Sequence, residues 1–421
     1  MSRSFIIVIV LTLVTNAFPV CLGATETSDN FAQEMLLRAH HRLTTGLYRG
    51  LSSKKGNLVI SPWSVMTLLS VTLLAADGRT ANEIGEHMYI PLLRRKEILE
   101  GFENINMFSG NSSCESSFES VNMALVGGGG SLVLSDRLVK MLQLSLNTHV
   151  NPINASHNDS DNRSLVDSPP STVSTSADEM TNERVRELLA HNLNSDNHQA
   201  ELWLFSFVAF QGTWSHTFNP RLTYPAAFKV DGQEEVRVPT MVSREVYPRG
   251  EYPELAMSLL ELPYGVARRY ALFLLLPHQD GGLPVLEQRL KHFVLERVLS
   301  ADHVPTLSKV YLPKFRLKND VDIQGVLKSL GFKRMFLSGE ASFSRLVGKD
   351  HTAHVRDMTH LALIEVNENG TVAAAATALR IPTRQYVEYF RVNHPFMFVL
   401  RDKLLGINLF VGRVTDPRQL T

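Results

Sequence analysis

Large apolar residues at Phe31, Met35, Leu36, Leu43 and Leu47 recur at helical spacing and predict an amphipathic helix over Asn30 to Tyr48. Ser61 to Leu74 is apolar on nearly every side, so it predicts a second, largely buried helix entered from a short strand. Two later runs, Trp203 to Phe210 and Tyr270 to Pro277, are too continuously apolar for strands with one wet face. Each predicts the middle of a covered sheet, and Pro277 closes the second. Asp320 to Leu330 predicts a helix that ends near Gly331. Helix and strand signals alternate without an internal repeat, and the strands lie far apart in sequence, which predicts slow, non-local folding.

Two stretches depart from this pattern. Asn154 to Thr181 is dominated by Ser, Asn, Asp and Thr around Pro169-Pro170. It has too little apolar surface to offset ordering entropy, and a disordered loop is expected. Glycosylation sequons begin at Asn154, Asn158 and Asn162, with another at Asn111, and Ser171 to Ser176 suits O-linked sugars. The second stretch is Glu365-Val-Asn-Glu-Asn-Gly-Thr-Val-Ala-Ala-Ala-Ala-Thr-Ala378. By propensity alone Ala373 to Ala376 favour helix, with Gly370-Thr371 as a start. Against that, Thr371, Thr377 and Leu379 alternate with alanines at period two, and small side chains fit between two existing strands where bulky ones clash.

This second stretch is similar to the reactive-loop hinge of the serpins, and further motifs follow in that family's order. Asn57-Leu-Val-Ile-Ser-Pro-Trp-Ser64 resembles its N-x-x-x-S-P-x-S element, and Phe210-Gln-Gly-Thr-Trp214 its F-x-G-x-W. Val310 to Phe315, His360 and Leu409 to Pro417 match later strands, so the resemblance covers about residues 30 to 418. It implies an α+β serpin fold with three β-sheets, surrounding helices and an exposed reactive loop over 368–394. It also implies one domain over 24–421, although 421 residues alone suggest two or three. The polar insert 154–181 stands where a serpin carries a helix across its main sheet. In this the chain is similar to the plasminogen-activator-inhibitor-like branch, clade E.

The resemblance also implies a mechanism. The scissile residue of inhibitory serpins lies sixteen positions after the hinge glutamate, which from Glu368 gives Arg384, with Gln385 on the leaving side and Arg380 as runner-up. An exposed arginine fits the acidic pocket of an extracellular trypsin-like serine protease. After acylation the hinge residues Glu368, Gly370, Thr371, Ala373, Ala374, Ala375, Ala376 and Thr377 would enter the main sheet as a new strand. Thr371, Ala373, Ala375 and Thr377 would lie on its buried side and Val372 would face outward. The sheet-opening region would gather Ser61, Ser64, Ser206, Trp214, Lys314 and His360, with Ser206 where the family has a longer asparagine. Asn369-Gly-Thr371 is itself a sequon, and a glycan there would obstruct insertion. A non-inhibitory binding or carrier protein is therefore the alternative expectation.

Residues 1–23 read as a secretory signal, with Arg3 at the start, an apolar stretch from Phe5 to Val14, and small residues in Cys21-Leu-Gly-Ala24. The stretch is too short to span a bilayer, so a secreted, extracellular protein is expected, with no membrane insertion. Removal of the signal would leave Cys114 as the only cysteine and hence no internal disulfide. Lys plus Arg and Asp plus Glu each number 42, so no global field points to nucleic acid. Arg94-Arg95-Lys96 is followed by Glu97, Glu100 and Glu103, a solvated helix start that gives a heparin-like glycan little support. No G-x-S-x-G or phosphate-loop motif is present, and Gly127 to Gly130 reads as a flexible connector. His351, His354 and His360 lack the cysteine or carboxylate that would complete a metal set. A monomer with no metal, no cofactor and no enzymatic activity is expected.

Overall fold

The computed structural model describes residues 4–9, 12–13, 31–109, 116–129, 134–145, 148–149, 200–230, 234–290, 292–349, 352–371 and 386–418. Its first half contains β1 (Ser4–Ile9), β2 (Thr12–Leu13), α1 (Phe31–Ser52), β3 (Leu58–Ile60), α2 (Pro62–Ala75), α3 (Gly78–His87), α4 (Arg95–Ser109), β4 (Ser116–Gly129), α5 (Asp136–Ser145) and β5 (Thr148–His149). Next come β6 (Ala200–Thr213), β7 (Tyr224–Val230), β8 (Glu234–Tyr252), β9 (Met257–Pro263), β10 (Tyr270–Pro277), α6 (Leu283–Arg289), α7 (His292–Leu299) and β11 (Val304–Pro313). The chain ends in β12 (Phe315–Val321), α8 (Ile323–Ser329), α9 (Ser344–Val347), β13 (Ala353–Val366), β14 (Gly370–Thr371), β15 (Glu388–Arg391), β16 (Phe396–Asp402) and β17 (Ile407–Val414).

Two hydrogen-bonded sheets organise the molecule. The first runs β12-β13-β6-β4-β2-β5, with β1 on β4 and β14 on β6; the second runs β15-β11-β8-β9-β10-β16-β17-β3, with β7 on β8. The three expected sheets appear as two connected sets because β8 is shared: it pairs with β7, with β11 and with β9 along its length. The strands β1 and β2 come from the segment assigned to a secretory signal.

α2 is the buried helix that its apolar sequence predicts, and every one of its residues is buried. Ser61 caps it and Pro62 fills the first turn, where a missing N–H costs nothing. With no water nearby, Thr67, Ser70 and Thr72 donate their hydroxyls to carbonyls one turn back. β6 and β10 are continuously buried, as their apolar runs require. Alternate positions of β6 serve different faces: Leu204, Val208 and Phe210 join the main core, while Trp203, Phe205 and Phe207 are buried outside it. Side chains on both faces of β6 are therefore buried.

Two local expectations are corrected. Gly127, Gly128 and Gly129 are strand residues paired with β1, and Gly127 also pairs with Glu201 of β6. The absence of side chains lets this strand end run between two neighbours. The helix expected from Asp320 begins at Ile323, because β12 continues to Val321 and Asp322 serves as the N-cap, accepting from Gly325 N.

Candidate functional site

The segment expected as the hinge starts where the pairing of β13 with β6 ends. β13 pairs parallel with β6 from Ala353↔Ala200 to Leu363↔Ala209. Beyond that point the chain turns at Asn367–Gly370, and β14 returns antiparallel to β6, with Gly370 opposite Thr213 and Thr371 opposite Gly212. Gly370 has φ +119, and a Cβ there would lie 2.1 Å from the Gly212 carbonyl oxygen, so only glycine makes this turn. β14 thus pairs with β6 at the head of the seam between β6 and β13.

Side chains at this end hold the hinge. Lys314 Nζ lies 2.8 Å from Glu368 Oε2, and Thr223 Oγ1 donates to Glu368 Oε1 at 2.8 Å. Burial pushes the Glu368 carboxyl up, but Lys314 and Thr223 bring it below the ordinary glutamate value. The Glu368 and Asn369 carbonyls accept from Phe218 N and Trp214 N, and Trp214 Nε1 donates to the Asn367 carbonyl at 2.8 Å. The Trp214 ring stacks on Tyr264 with centroids 4.2 Å apart, which fixes the indole against the turn.

A second cluster lies lower in the sheet. His360, Ser206 and Asn122 are register partners across β13, β6 and β4 and form one row. Ser61 N donates to His360 Nε2 at 2.9 Å, which leaves the proton on Nδ1, facing Ser206 Oγ at 3.3 Å. Ser206 meets Ser64, Ser64 donates to Asn122 Oδ1 at 2.9 Å, and Asn122 Nδ2 donates to Ser120 Oγ at 3.1 Å. Burial pushes the His360 pKa down to about 3, so the ring stays neutral where an ordinary histidine protonates.

The six residues expected as one sheet-opening region therefore separate into two groups. Ser206 and His360 lie in the lower row, where Ser61 at the cap of α2 and Ser64 within it contact them, whereas Trp214 and Lys314 contact the turn at Asn367–Gly370. Ser206 and Trp214 are eight positions apart along extended chain, or about 26 Å at the usual rise. The reactive bond Arg384–Gln385, hinge residues Ala373, Ala374, Ala375, Ala376 and Thr377, sequons Asn111, Asn154, Asn158 and Asn162, the insert 154–181, Cys114 and His351 lie outside the described residues. Among the described residues no cluster of His, Cys, Asp and Glu suits a metal ion, and no helix is long and apolar enough to cross a membrane.

A sequence profile described as Serpin (serine protease inhibitor) matches residues 38–417. The chain belongs to the serpin family. It is 27% identical over 390 residues to the leukocyte elastase inhibitor of Xenopus tropicalis, covering 91% of this chain and 100% of the relative. It is 26% identical to neuroserpin of Mus musculus, covering 95% and 94%. The crystal structure of Serpin48 from Tenebrio molitor superposes with a TM-score of 0.71 at 25% identity, covering 92% of this chain and 100% of that one. Proteins of this family are generally protease inhibitors rather than enzymes, with non-inhibitory members among them.

Sequence reasoning missed Asn122 and Thr223 in this serpin. The only signal for Asn122 was a polar residue on the buried alternation of β4, shared with Ser120 and Phe118. Ser206 is too short to reach across the row alone, and Asn122, one strand over, supplies the amide. Asn122→Ala should leave the Ser64 hydroxyl without its acceptor and lower native stability by about 1–3 kcal/mol. Ser206→Asn should also destabilise, by crowding two amides into one slot, whereas Ser206→Asn combined with Asn122→Ser should recover most of the loss. Denaturant midpoints of the four proteins check this coupling, and strict additivity would show that the two positions do not share one network.

Proposed function

We propose that this serpin is a secreted suicide inhibitor of an Arg-specific, trypsin-like serine protease that attacks the Arg384–Gln385 bond, and that it belongs to clade E, as its third member. The observation that carries this reading is β14, already paired with β6 and held by Lys314 and Glu368 at the head of the β6–β13 seam. In this reading the protease serine oxygen attacks the Arg384 carbonyl, the peptide bond breaks, and the Gln385 amine leaves with a proton. The acyl ester links protease to loop. The freed loop then inserts, carrying the protease away before water cleaves the ester.

The register extends this reading. An inserted strand that kept the register of Thr371↔Gly212 would set Ala373 opposite Phe210, Ala375 opposite Val208 and Thr377 opposite Ser206. Phe210 and Val208 belong to the main core, and Ser206 contacts Ser64. Threonine and alanine are the residues such a crowded side accepts.

The test is incubation with a panel of trypsin-like proteases. A complex surviving denaturation, a released fragment beginning at Gln385, and loss of the complex in Arg384→Ala are expected; an Arg384→Ala protein that complexes normally overturns the assignment. Cell-culture medium containing protein that starts after residue 23 or 24 is the corresponding expectation for secretion. One observation favours the second reading, a non-inhibitory extracellular binding protein: Asn369 of the hinge sequon is exposed. A glycan found on Asn369 in the secreted protein would favour that reading.

A further inference from the structure

The outer face of β15, β11 and β8 carries cations without carboxylate partners. Lys309 is opposite Tyr389 and Tyr311 opposite Arg391 in the parallel pair β11–β15, and Lys309 is opposite Arg244 in the antiparallel pair β11–β8. The Tyr311 and Tyr389 rings are nearly parallel, 17° apart in plane with centroids 6.5 Å apart. The Arg391 guanidinium lies 5.2 Å from both ring centroids, and Lys309 Nζ lies 5.4 Å from the Tyr311 ring. Tyr389 is 56% exposed and Tyr386, just before the strand, 86%. Among the described residues Arg244, Lys309 and Arg391 make no ion pair, whereas neighbouring Arg249 is engaged by Glu251 and Glu388.

The sequence leading into this face sharpens the imbalance. From Gly370 to Arg391 the chain carries Arg380, Arg384 and Arg391, and Glu388 is its only carboxylate. Glu388 is already paired with Arg249 at 2.8 Å. β15 begins four residues after Arg384, so whatever protein holds the Arg384–Gln385 bond must pass close to this face.

We propose that Arg244, Lys309, Tyr311, Tyr389 and Arg391 form a docking platform for an acidic surface of the target protease, beside its primed-side cleft. This rests on the reading of Arg384 as the residue that the protease attacks. The rings flank the exposed Arg391, and the three cations steer the encounter before the loop is engaged. Cations gathered on one face repel one another, and a partner's carboxylates relieve that repulsion on docking.

The experiment uses the full secreted chain and the protease that forms the covalent complex in the panel. Arg244→Gln/Lys309→Gln/Arg391→Gln should slow association by about tenfold at low salt, with the difference from the parent shrinking at high salt. Converting the protease carboxylates that flank its primed side to amides should produce the same loss, without further effect on the triple variant. Matching thermal midpoints for parent and variant show that the fold is intact. An unchanged rate and salt slope, with a complex that still requires Arg384, overturns the platform and leaves the inhibitor reading standing. Absence of any complex with the parent chain overturns the inhibitor reading, and the platform with it. Parent retained on immobilised heparin and variant released, with equal protease rates, overturns the protease assignment in favour of a sulfated glycan.

Discussion

Thr371→Arg is expected to convert the inhibitor into a substrate: the protease should cleave after Arg384 at a normal rate but escape, with the stable complex replaced by free protease and cleaved serpin. The second residue of β14 stands opposite Gly212 on β6, at the head of the seam that the rest of the loop must follow. Inserting the strand with arginine here buries a guanidinium without a carboxylate, which costs several kcal/mol. A penalty of about 3 kcal/mol in the insertion step slows it more than a hundredfold, long enough for water to cleave the acyl ester first. The measurement is the number of serpin molecules consumed per protease inhibited, together with the cleaved and complexed bands on a denaturing gel. An unchanged ratio for Thr371→Arg would mean that this residue does not enter the sheet.

The candidate hinge can be proposed from sequence because its chemistry is local. Gly370 makes one turn, the alanines are contiguous, and the distance to Arg384 is a count along one stretch. The buried strands and α2 were legible for the same reason: a run of apolar residues with no wet face allows few placements. The row through His360, Ser206 and Asn122 is different in kind. Its members come from β13, β6 and β4, and the sequence shows Ser206 only as a departure from a pattern. That Asn122 supplies the missing amide depends on the register of β4 against β6, which no local spacing encodes. The glycine run at the end of β4 misled in the opposite direction, since its small residues signalled flexibility when their use was close approach of neighbouring strands. The split between the Trp214–Lys314 group and the His360 group has the same origin. Ser206 and Trp214 are near in sequence, but extended chain carries them far apart.

Cleavage after Arg384 is expected to raise the thermal midpoint by more than about 10 °C. In the intact chain β6 and β13 form one parallel ladder, whose pairs come evenly spaced but slanted. An inserted strand would replace it with two antiparallel ladders, one to each neighbour. The net gain is about ten backbone hydrogen bonds, or about 10 kcal/mol at a net of about 1 kcal/mol each. With an unfolding entropy of about 2.1 cal/mol/K per residue, a chain of this length gains roughly 1 °C per kcal/mol. In such a strand the extended register would set Thr377 in the row between Ser206 and His360. Its hydroxyl can accept from His360 Nδ1 and donate to Ser206, so parting the strands need not orphan the buried imidazole. Thr377→Val should therefore reduce the gain in the cleaved protein by about 1–3 kcal/mol while leaving the intact protein unchanged. Calorimetry of both proteins before and after cleavage separates the readings. A midpoint that does not rise would mean that the loop stays outside the sheet, leaving β14 as a fixed hairpin and the exposed Asn369 free to carry its glycan, as a binding protein requires.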